Sequence, residues 1–170
     1  MVSEIPFGTA IFIDANIFVY HFSGPTELTA ACSTLLSRIE GGQLAGLTSL
    51  IVVAEVLHRL MIIEATERLQ VEARQVVRYL KAHPTVVREL TQHLLVPAKM
   101  QAMGVHFLAP TIEDLLASRE GKLNFGFLTN DAINLAIMNR HQLTHIATND
   151  PDFARVPSLM VWRPSPTSPS

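Results

Sequence analysis

Short apolar runs alternate with helical stripes along this chain, and the alternation limits the folds open to it. The first run, residues 9–13, is β-branched and aromatic, and it predicts a fully buried strand that ends at Asp14. Further short runs occupy residues 44–47, 105–109, 144–147 and 159–162. Such alternation is typical of repeated strand and helix units. The sequence therefore predicts an α/β fold with a central, mostly parallel sheet flanked by helices.

The helix after the second run has a clear start signal. Thr48 or Ser49 can cap it, because a hydroxyl at this position accepts a hydrogen bond from a free backbone N–H of the first turn. The apolar period then continues through Glu55 to about Ile63. We expect Glu55 to lie on a helix that begins at the end of a strand.

Two later helices follow the third run. Thr111 and Asp114 have the spacing of a capping box, and Gly121 is predicted to lie beyond the end of that helix. Residues 131–140 form a helix that is apolar on most sides, which predicts a central position in the fold.

The middle of the chain is predicted to be a helical arm. A core-facing stripe stops at His83 and Pro84 and comprises Leu69, Ala73, Val76, Val77 and Leu80. A second helix is expected from about Thr85, and Pro97 either kinks it or begins another helix that Gly104 closes. We expect these helices to project from the sheet as a hairpin or arm.

Length and composition favour one domain in a reducing compartment. The 170 residues are 48% hydrophobic, which predicts a single domain over residues 1–163 followed by a disordered Pro/Ser tail, residues 164–170. The single cysteine, Cys32, excludes a disulfide scaffold. We find no secretory leader and no apolar stretch long enough to span a membrane, so we expect a cytoplasmic protein. The net charge of −2 provides no overall attraction for nucleic acid.

Acidic side chains recur where a parallel sheet would bring them together. Asp14 ends the first strand, and Asp150 and Asp152 follow the fourth. Asp131 lies in the first turn of its helix, and Glu55 lies one to two turns into its own. Because ligands bind outside the carboxyl ends of parallel strands, we expect these acids to converge at one edge of the sheet.

A cluster of carboxylates inside apolar sequence predicts a bound cation. Unpaired buried charge costs several kcal/mol, and oxygen-only ligand sets suit Mg²⁺ or Mn²⁺. Such an ion can activate water and stabilise a leaving oxygen at phosphorus. Each acid also has a purely structural interpretation. Asp131 could favour a helix dipole, and Glu55 could lie on the polar face of an amphipathic helix. Residues 149–152 could form only a turn, and Asp14 could be a hydrogen-bonded buried carboxylate.

Four motifs in order carry a resemblance to a known family. FIDANIFVY, TSLIVVAE, FLTNDAINLAIM and IATNDPDF occur in this sequence from the first predicted strand to the last quarter of the chain. Together they closely resemble the PIN-domain ribonucleases, and the compact form is similar to the VapC-type toxins of toxin-antitoxin modules. The likeness extends over about residues 9–163.

The resemblance implies roles for these residues. It implies a three-layer PIN-like fold and a metal-binding quartet of Asp14, Glu55, Asp131 and Asp150. Asn16 and Thr148 would position the site, and Asp152 would be a fifth acid with a direct or indirect metal role. The implied reaction is hydrolysis of an RNA phosphodiester by activated water with Mg²⁺ or Mn²⁺, leaving a 3′-hydroxyl and a 5′-phosphate. The resemblance also implies a homodimer and an antitoxin partner.

The chain departs from the family pattern in its long middle helices and its mildly acidic balance. Its dense basic set lies on or beside those helices and comprises Arg59, Arg68, Arg74, Arg78, Lys81 and Arg88. These cations are either a solvated helix face or a surface for RNA phosphates, with Arg59, Arg74 and Arg78 as the candidate contacts.

Two other classes of function remain open at this point. The same acidic metal site could serve a structure-specific DNA nuclease or a phosphatase, although Asn16 stands where a phosphoaspartyl phosphatase normally has a second Asp. The domain could also be a non-catalytic RNA-binding PIN module. Several mutually repelling carboxylates without a cation would be hard to explain in such a module.

Overall fold

The architecture comes from a computed structural model that describes residues 1–24, 26–70 and 72–166. Five strands of those ranges form one sheet in the order β3-β2-β1-β4-β5, and every neighbouring pair is parallel. The strands are β1 (Ala10–Ile13), β2 (Ala45–Ser49), β3 (His106–Leu108), β4 (His145–Ala147) and β5 (Met160–Trp162). The predicted α/β fold with a parallel central sheet is confirmed.

The helices pack against this sheet and against one another. They are α1 (Ala15–Phe22), α2 (Thr29–Glu40), α3 (Leu50–Leu69), α4 (Ala73–Ala82), α5 (Pro84–Val87), α6 (Val96–Ala102), α7 (Ile112–Phe125) and α8 (Thr129–Arg140). Short 3-10 helices span Val2–Glu4, Gln92–Leu95 and Pro151–Arg155. No described helix combines the length and the apolar character needed to cross a bilayer.

The main core forms around β1, the central strand. Ile11, Phe12 and Ile13 are completely buried, which explains why this strand is a continuous apolar run. Phe12 pairs with Leu47 of β2 on one side and with Ile146 of β4 on the other. The carboxyl end of β1 therefore lies between the carboxyl ends of two neighbouring strands.

The helix α3 is longer than the sequence predicted. It begins after Ser49, whose hydroxyl accepts the backbone N–H of Val52 at 3.0 Å, as expected for an N-cap. It continues past Ile63 to Leu69 and ends where Gln70 adopts a left-handed φ of 51°. Leu69 is thus the last residue of α3, and the prediction that it shares a stripe with the next helix was wrong.

The middle segment is helical, but the predicted second long helix is absent among its described residues. The chain forms only the short α5 and then turns, because the buried carboxylate of Glu64 accepts the backbone N–H groups of Thr91 (3.2 Å) and Gln92 (3.1 Å). Pro97 begins α6, one of the two alternatives raised by the sequence. A second small core, which includes Val76, Leu80 and Leu90, holds α4 and this loop on α3.

The helix α7 also runs further than expected. It passes through Gly121 and ends at Phe125, with Gly126 in the left-handed conformation at φ 69°. Gly121 is needed inside the helix, because a Cβ there would lie 3.2 Å from the Cα of Ala132 on α8. The glycine that sequence reasoning placed beyond the helix end instead allows two helices to approach closely.

The predicted tail extends beyond the described part of the chain. Residues 167–170 lie outside the described residues. Before them, Pro164 is buried, and the hydroxyl of Ser165 lies 3.1 Å from the sulfur of Met1. The boundary between a domain of residues 1–163 and a tail stays a prediction.

Candidate active site

Asp14 is held at the carboxyl end of β1 by a dense set of hydrogen bonds. It is the N-cap of α1, and its Oδ1 accepts the backbone N–H of Ala15 at 2.7 Å. Its Oδ2 accepts the hydroxyl of Thr148 at 2.6 Å and also the side-chain amide of Asn16. The side chain is only 7% exposed. The carboxylate is therefore fixed in one orientation at the centre of the sheet edge.

Asn16 and Thr148 join the ends of β1 and β4. The Nδ2 of Asn16 donates to Oγ1 of Thr148 at 3.0 Å, while its Oδ1 accepts the backbone N–H of Asn149 at 2.9 Å. Thr148 is completely buried and stands 134 positions from Asp14 in sequence. The structure thus brings together the two residues that were predicted to position the site.

Asp150 and Asp152 follow on a short 3-10 helix. The backbone N–H of Asp150 donates to Oγ1 of Thr148 at 2.9 Å. The Oδ1 of Asp150 then caps the helix by accepting the backbone N–H of Asp152 at 2.8 Å. The carboxylate of Asp152 is partly exposed and accepts Nη2 of Arg155 at 2.6 Å. The turn expected from the sequence does form, and it connects directly to the hydrogen bonds of Asp14.

Asp131 and Glu55 arrive on helices. Asp131 lies in the first turn of α8, and Glu55 lies on α3, the helix that follows β2. Both are partly buried. The Nη1 of Arg59, one turn further along α3, is 3.5 Å from Oε1 of Glu55, a long contact between partly exposed groups.

The pKa directions show that the five carboxylates share one electrostatic site. Burial raises the pKa of Asp14, and the negative charges of Glu55 and Asp150 raise it further, while hydrogen bonds from Thr148 and Ala15 oppose the shift. Burial is the largest cause that raises the pKa of Asp131, and together with the negative charges of Asp14, Asp150, Glu55 and Asp152 it brings that pKa to about 6. The negative charges therefore repel one another across the sheet edge.

The donor set fits a divalent metal ion of the hard type. Within residues 1–24, 26–70 and 72–166, no three His, Cys, Asp or Glu side chains already stand in a coordinating arrangement. The acids that interact are nevertheless all carboxylates, which Mg²⁺ and Mn²⁺ prefer. Burial and the charges of the neighbouring acids together raise the pKa values of Asp14 and Asp131, and a cation among them would offset both effects.

Sequence reasoning missed a buried contact behind the acids. The hydroxyl of Ser49 donates to Oδ1 of Asn134 at 2.6 Å, and this amide is 1% exposed. The bond ties the start of α3, which carries Glu55, to α8, which carries Asp131. The available signal was a lone amide in the apolar sequence AINLAIM, three residues after an acid.

The predicted RNA-binding arginines lie on two different helices. Arg59 contacts Glu55, as described above. Arg74 lies on α4 and forms an exposed ion pair with Glu72 at 2.6 Å. Arg78 lies one turn further along the same helix. The arm therefore presents Arg74 and Arg78 on a different element from any of the five carboxylates.

A family sequence model and a curated relative each match most of the chain. The sequence model of the PIN domain matches residues 11–159. The ribonuclease VapC2 of Methanocaldococcus jannaschii is 27% identical over 153 residues, which cover 89% of this chain and 91% of the relative.

Solved structures with low sequence identity share the fold. VapBC2 from Rickettsia felis, bound to a promoter DNA fragment, superposes with a TM-score of 0.56 at 14% identity and covers 91% of this chain and 98% of its own. VapC20 of Mycobacterium tuberculosis, a toxin that cleaves the sarcin-ricin loop, gives 0.56 at 15% identity over 85% of this chain and 92% of its own. A toxin-antitoxin complex from Klebsiella pneumoniae gives 0.55 at 18% identity, over 88% and 95%.

The family model extends from the buried strand that precedes Asp14 to the segment after Asp152. It includes each of the five acids and both residues that hold Asp14 in place. The matched range also contains β2, β3 and β4 and nearly all of β1, the strands whose ends carry or adjoin the site. This chain therefore belongs to the PIN domain family.

Proposed function

We propose that this protein is a metal-dependent endoribonuclease of the VapC type. The observation that carries the proposal is Asp14, a buried carboxylate that Thr148 and Asn16 fix in place. Burial raises its pKa, and the negative charges of Glu55 and Asp150 raise it further. A ribonuclease relative that matches over most of both chains supports RNA as the substrate.

The metal ion would be Mg²⁺ or Mn²⁺. Asp14 and Asp131 would hold it, Glu55 and Asp150 would complete the site, and Asp152 would act at its edge. When bound, the ion would supply Lewis-acid activation at the phosphodiester.

The protein side chains would orient and bind the reactants. Thr148 and Asn16 leave Asp14 a single orientation, so the carboxylate needs no rearrangement when the substrate arrives. Glu55 and Asp150 would orient the attacking water through their carboxylate oxygens. Hydrolysis would leave a 3′-hydroxyl and a 5′-phosphate.

The proposal includes a homodimer. One face of α7 carries four exposed apolar side chains around Arg119, namely Ile112, Leu115, Leu116 and Leu123. A monomer would leave this face in water, so we propose that it packs against a second copy.

An antitoxin is the second proposed partner. The structural relatives include toxin-antitoxin assemblies of the same fold. An antitoxin with a basic segment would complement the five carboxylates of the site.

The arm is proposed to contribute to RNA binding. Arg74 and Arg78 lie on α4, and Arg59 lies on α3 next to the site. Replacing both Arg74 and Arg78 with Glu should weaken RNA binding and reduce its salt dependence, because each Arg would neutralise a phosphate. Unchanged affinity in this variant would leave the arm without a role in RNA binding.

Cleavage of a mixed nucleic-acid pool tests the proposed function. Wild type and Asp14→Asn would each be incubated with RNA and single-stranded DNA in Mg²⁺, Mn²⁺ or excess chelator, and the new ends would be sequenced. We expect RNA cleavage by wild type with a divalent ion, and loss of that cleavage in chelator and in Asp14→Asn. Cleavage in chelator would contradict the metal requirement, and cleavage of DNA alone would contradict the substrate.

A further inference from the structure

Arg155 connects two segments at the edge of the acidic site. Its Nη2 donates to Oδ1 of Asp152 at 2.6 Å, and its Nη1 donates to the backbone carbonyl of Phe125 at 3.2 Å. The guanidinium also lies beside Gly126, where an added Cβ would stand 3.8 Å from Nη1. Arg155 therefore spans the gap between the 3-10 helix of Asp150 and the loop that leads into α8.

The backbone beneath Arg155 is firmly packed. Phe153 is completely buried, and its ring lies 5.1 Å from the ring of Phe127. These rings hold the 3-10 helix Pro151–Arg155 against the junction of α7 and α8. The position of the Arg155 side chain is thus set by a buried aromatic contact and by two hydrogen bonds.

Arg155 and Arg59 lie on elements that follow β4 and β2, the two strands on either side of β1 and Asp14. Arg59 lies on α3, which follows β2, and Arg155 lies on the 3-10 helix that comes after β4. β1, which ends at Asp14, stands between β2 and β4. Each arginine contacts one carboxylate of the site, Glu55 and Asp152 respectively. The acids therefore have a cation on either side.

The guanidinium keeps hydrogen-bonding capacity for a ligand. An arginine has five N–H donors, and the described contacts of Arg155 use two of them, one on each terminal nitrogen. Its side chain is 51% exposed. A polyanion that approaches five carboxylates is repelled unless cations at the edge offset that repulsion, and Arg can bind phosphate through two parallel N–H groups.

We propose that Arg155 binds a phosphate of the RNA backbone next to the scissile phosphodiester, and that Asp152 fixes the guanidinium for this contact. The inference rests on the proposed ribonuclease function and adds a binding residue to it. Asp152 then acts chiefly through Arg155. Arg59 lies on the other side of Asp14, so the RNA backbone can cross the site with a cation at each edge.

Steady-state cleavage of an RNA oligonucleotide over a range of salt concentrations tests the proposal. Arg155→Gln should raise KM roughly 5- to 20-fold with kcat within about twofold of wild type, because a phosphate contact is lost. The slope of log KM against log salt should fall by about 0.7, the contribution of one phosphate in a single strand. Lys122→Gln removes one positive charge near the end of α7 and serves as the matched control.

Two more variants separate phosphate binding from a structural role. Arg155→Lys keeps the charge but lacks the two terminal nitrogens that bond separately to Phe125 and Asp152, so the salt slope should be retained while KM rises less than in Arg155→Gln. Asp152→Asn should raise KM with the salt slope unchanged.

A fall in kcat and melting temperature with an unchanged salt slope in Arg155→Gln would overturn the inference. If wild type cleaves RNA and Arg155→Gln matches it in KM and slope, the inference alone fails. If wild type cleaves no RNA, the proposed function fails.

Discussion

Two buried aspartates at the starts of helices have pKa values shifted in opposite directions. Asp14 caps α1 and is 7% exposed, and Asp114 closes the capping box of α7 and is 2% exposed. Asp114 receives two hydrogen bonds from Arg140, both of 2.9 Å, and these hydrogen bonds hold its pKa below the usual value. Burial raises the pKa of Asp14, whose described partners are neutral N–H and O–H groups.

The difference separates a structural acid from a functional one. A buried carboxylate that is paired with an arginine has its counter-ion within the protein and secures the contact between α7 and α8. A buried carboxylate that faces other acids keeps an unfavourable charge, which an added cation can offset. Burial of an acid alone therefore does not mark a site, whereas burial without an internal cation does.

Replacing Asp14 with asparagine should mainly lower the cleavage rate, whereas the same replacement at Asp114 should mainly lower the stability of the fold. We expect Asp14→Asn to lower the cleavage rate at least 100-fold, on the order of what removal of a key electrostatic group costs. Its free energy of unfolding should stay equal or rise, because a repelled buried charge is removed. Asp114→Asn should lose about 1–3 kcal/mol of stability, since Arg140 loses its ionic partner.

Urea unfolding and RNA cleavage, measured on both variants, check this contrast. Asp114→Asn should keep wild-type cleavage per folded molecule, which makes it the matched control for Asp14→Asn. A strongly destabilised Asp14→Asn with residual cleavage would reverse the assignment of the two acids.

The free energy of unfolding should depend on pH in opposite directions through Asp131, an acid of the site, and through Asp114, the paired acid. The pKa of Asp131 is raised from 3.8 to about 6, so the folded state binds a proton more tightly than the unfolded state. In chelator, stability should fall as pH rises from about 4 to 6, by about 1–2 kcal/mol after allowing for solvent screening of this half-buried group. Asp114 has a lowered pKa, so its contribution is complete above 3.8 and is lost as pH falls below that value.

Chemical denaturation between pH 3 and 8 would separate the two slopes. Asp131→Asn should flatten the fall between about pH 4 and 6, because the group that titrates there is gone. Asp114→Asn should instead remove part of the loss at lower pH. A wild-type stability curve that rises from pH 4 to 6 in chelator would contradict the raised pKa of Asp131.

A smaller effect is expected at the contact between Ser49 and Asn134. Ser49→Ala removes the N-cap of α3 and leaves the buried amide of Asn134 short of a donor. We expect a loss of about 1–2 kcal/mol and a reduction of cleavage of only a few fold, because the helices that carry Glu55 and Asp131 would shift slightly.

Thr34→Ala provides the control for this prediction. It removes an exposed hydroxyl that bonds to the carbonyl of Ala30 within α2, away from the acids. Stability and cleavage should stay close to wild type. Equal losses in the two variants would mean that the Ser49 contact has no special role.

The sheet could be predicted from sequence because its strands are short and buried. A continuous apolar run such as residues 10–13 has few alternatives, and each of the five predicted strands has an observed counterpart within two residues at either end. The position of an acid such as Asp14 could be predicted because it directly follows a strand, and the carboxyl ends of parallel strands lie at one edge of the sheet. Their catalytic and metal-binding roles stay predictions for the cleavage experiments.

The arm and the contacts behind the site were beyond sequence reasoning. The turn after α5 depends on Glu64, which lies more than twenty residues earlier on α3, so the local period wrongly favoured a longer helix. Arg155 and Asn134 are ordinary residues of a turn and a helix until the tertiary fold gives them partners. In the sequence Gly121 looks like a glycine that ends a helix, and its place inside α7 is explained by the close approach of Ala132 on α8.

The place of β4 beside β1 has a consequence for how the protein is made. β4 and Thr148 are translated more than a hundred codons after Asp14, yet they form its immediate neighbours in the sheet. A nascent chain that stops before residue 145 can pair β1, β2 and β3, but the carboxylate of Asp14 then has only the local donors Ala15 and Asn16 and lacks the hydroxyl of Thr148. The order of synthesis thus delays completion of the hydrogen bonds around Asp14 until β4 and Thr148 have been translated.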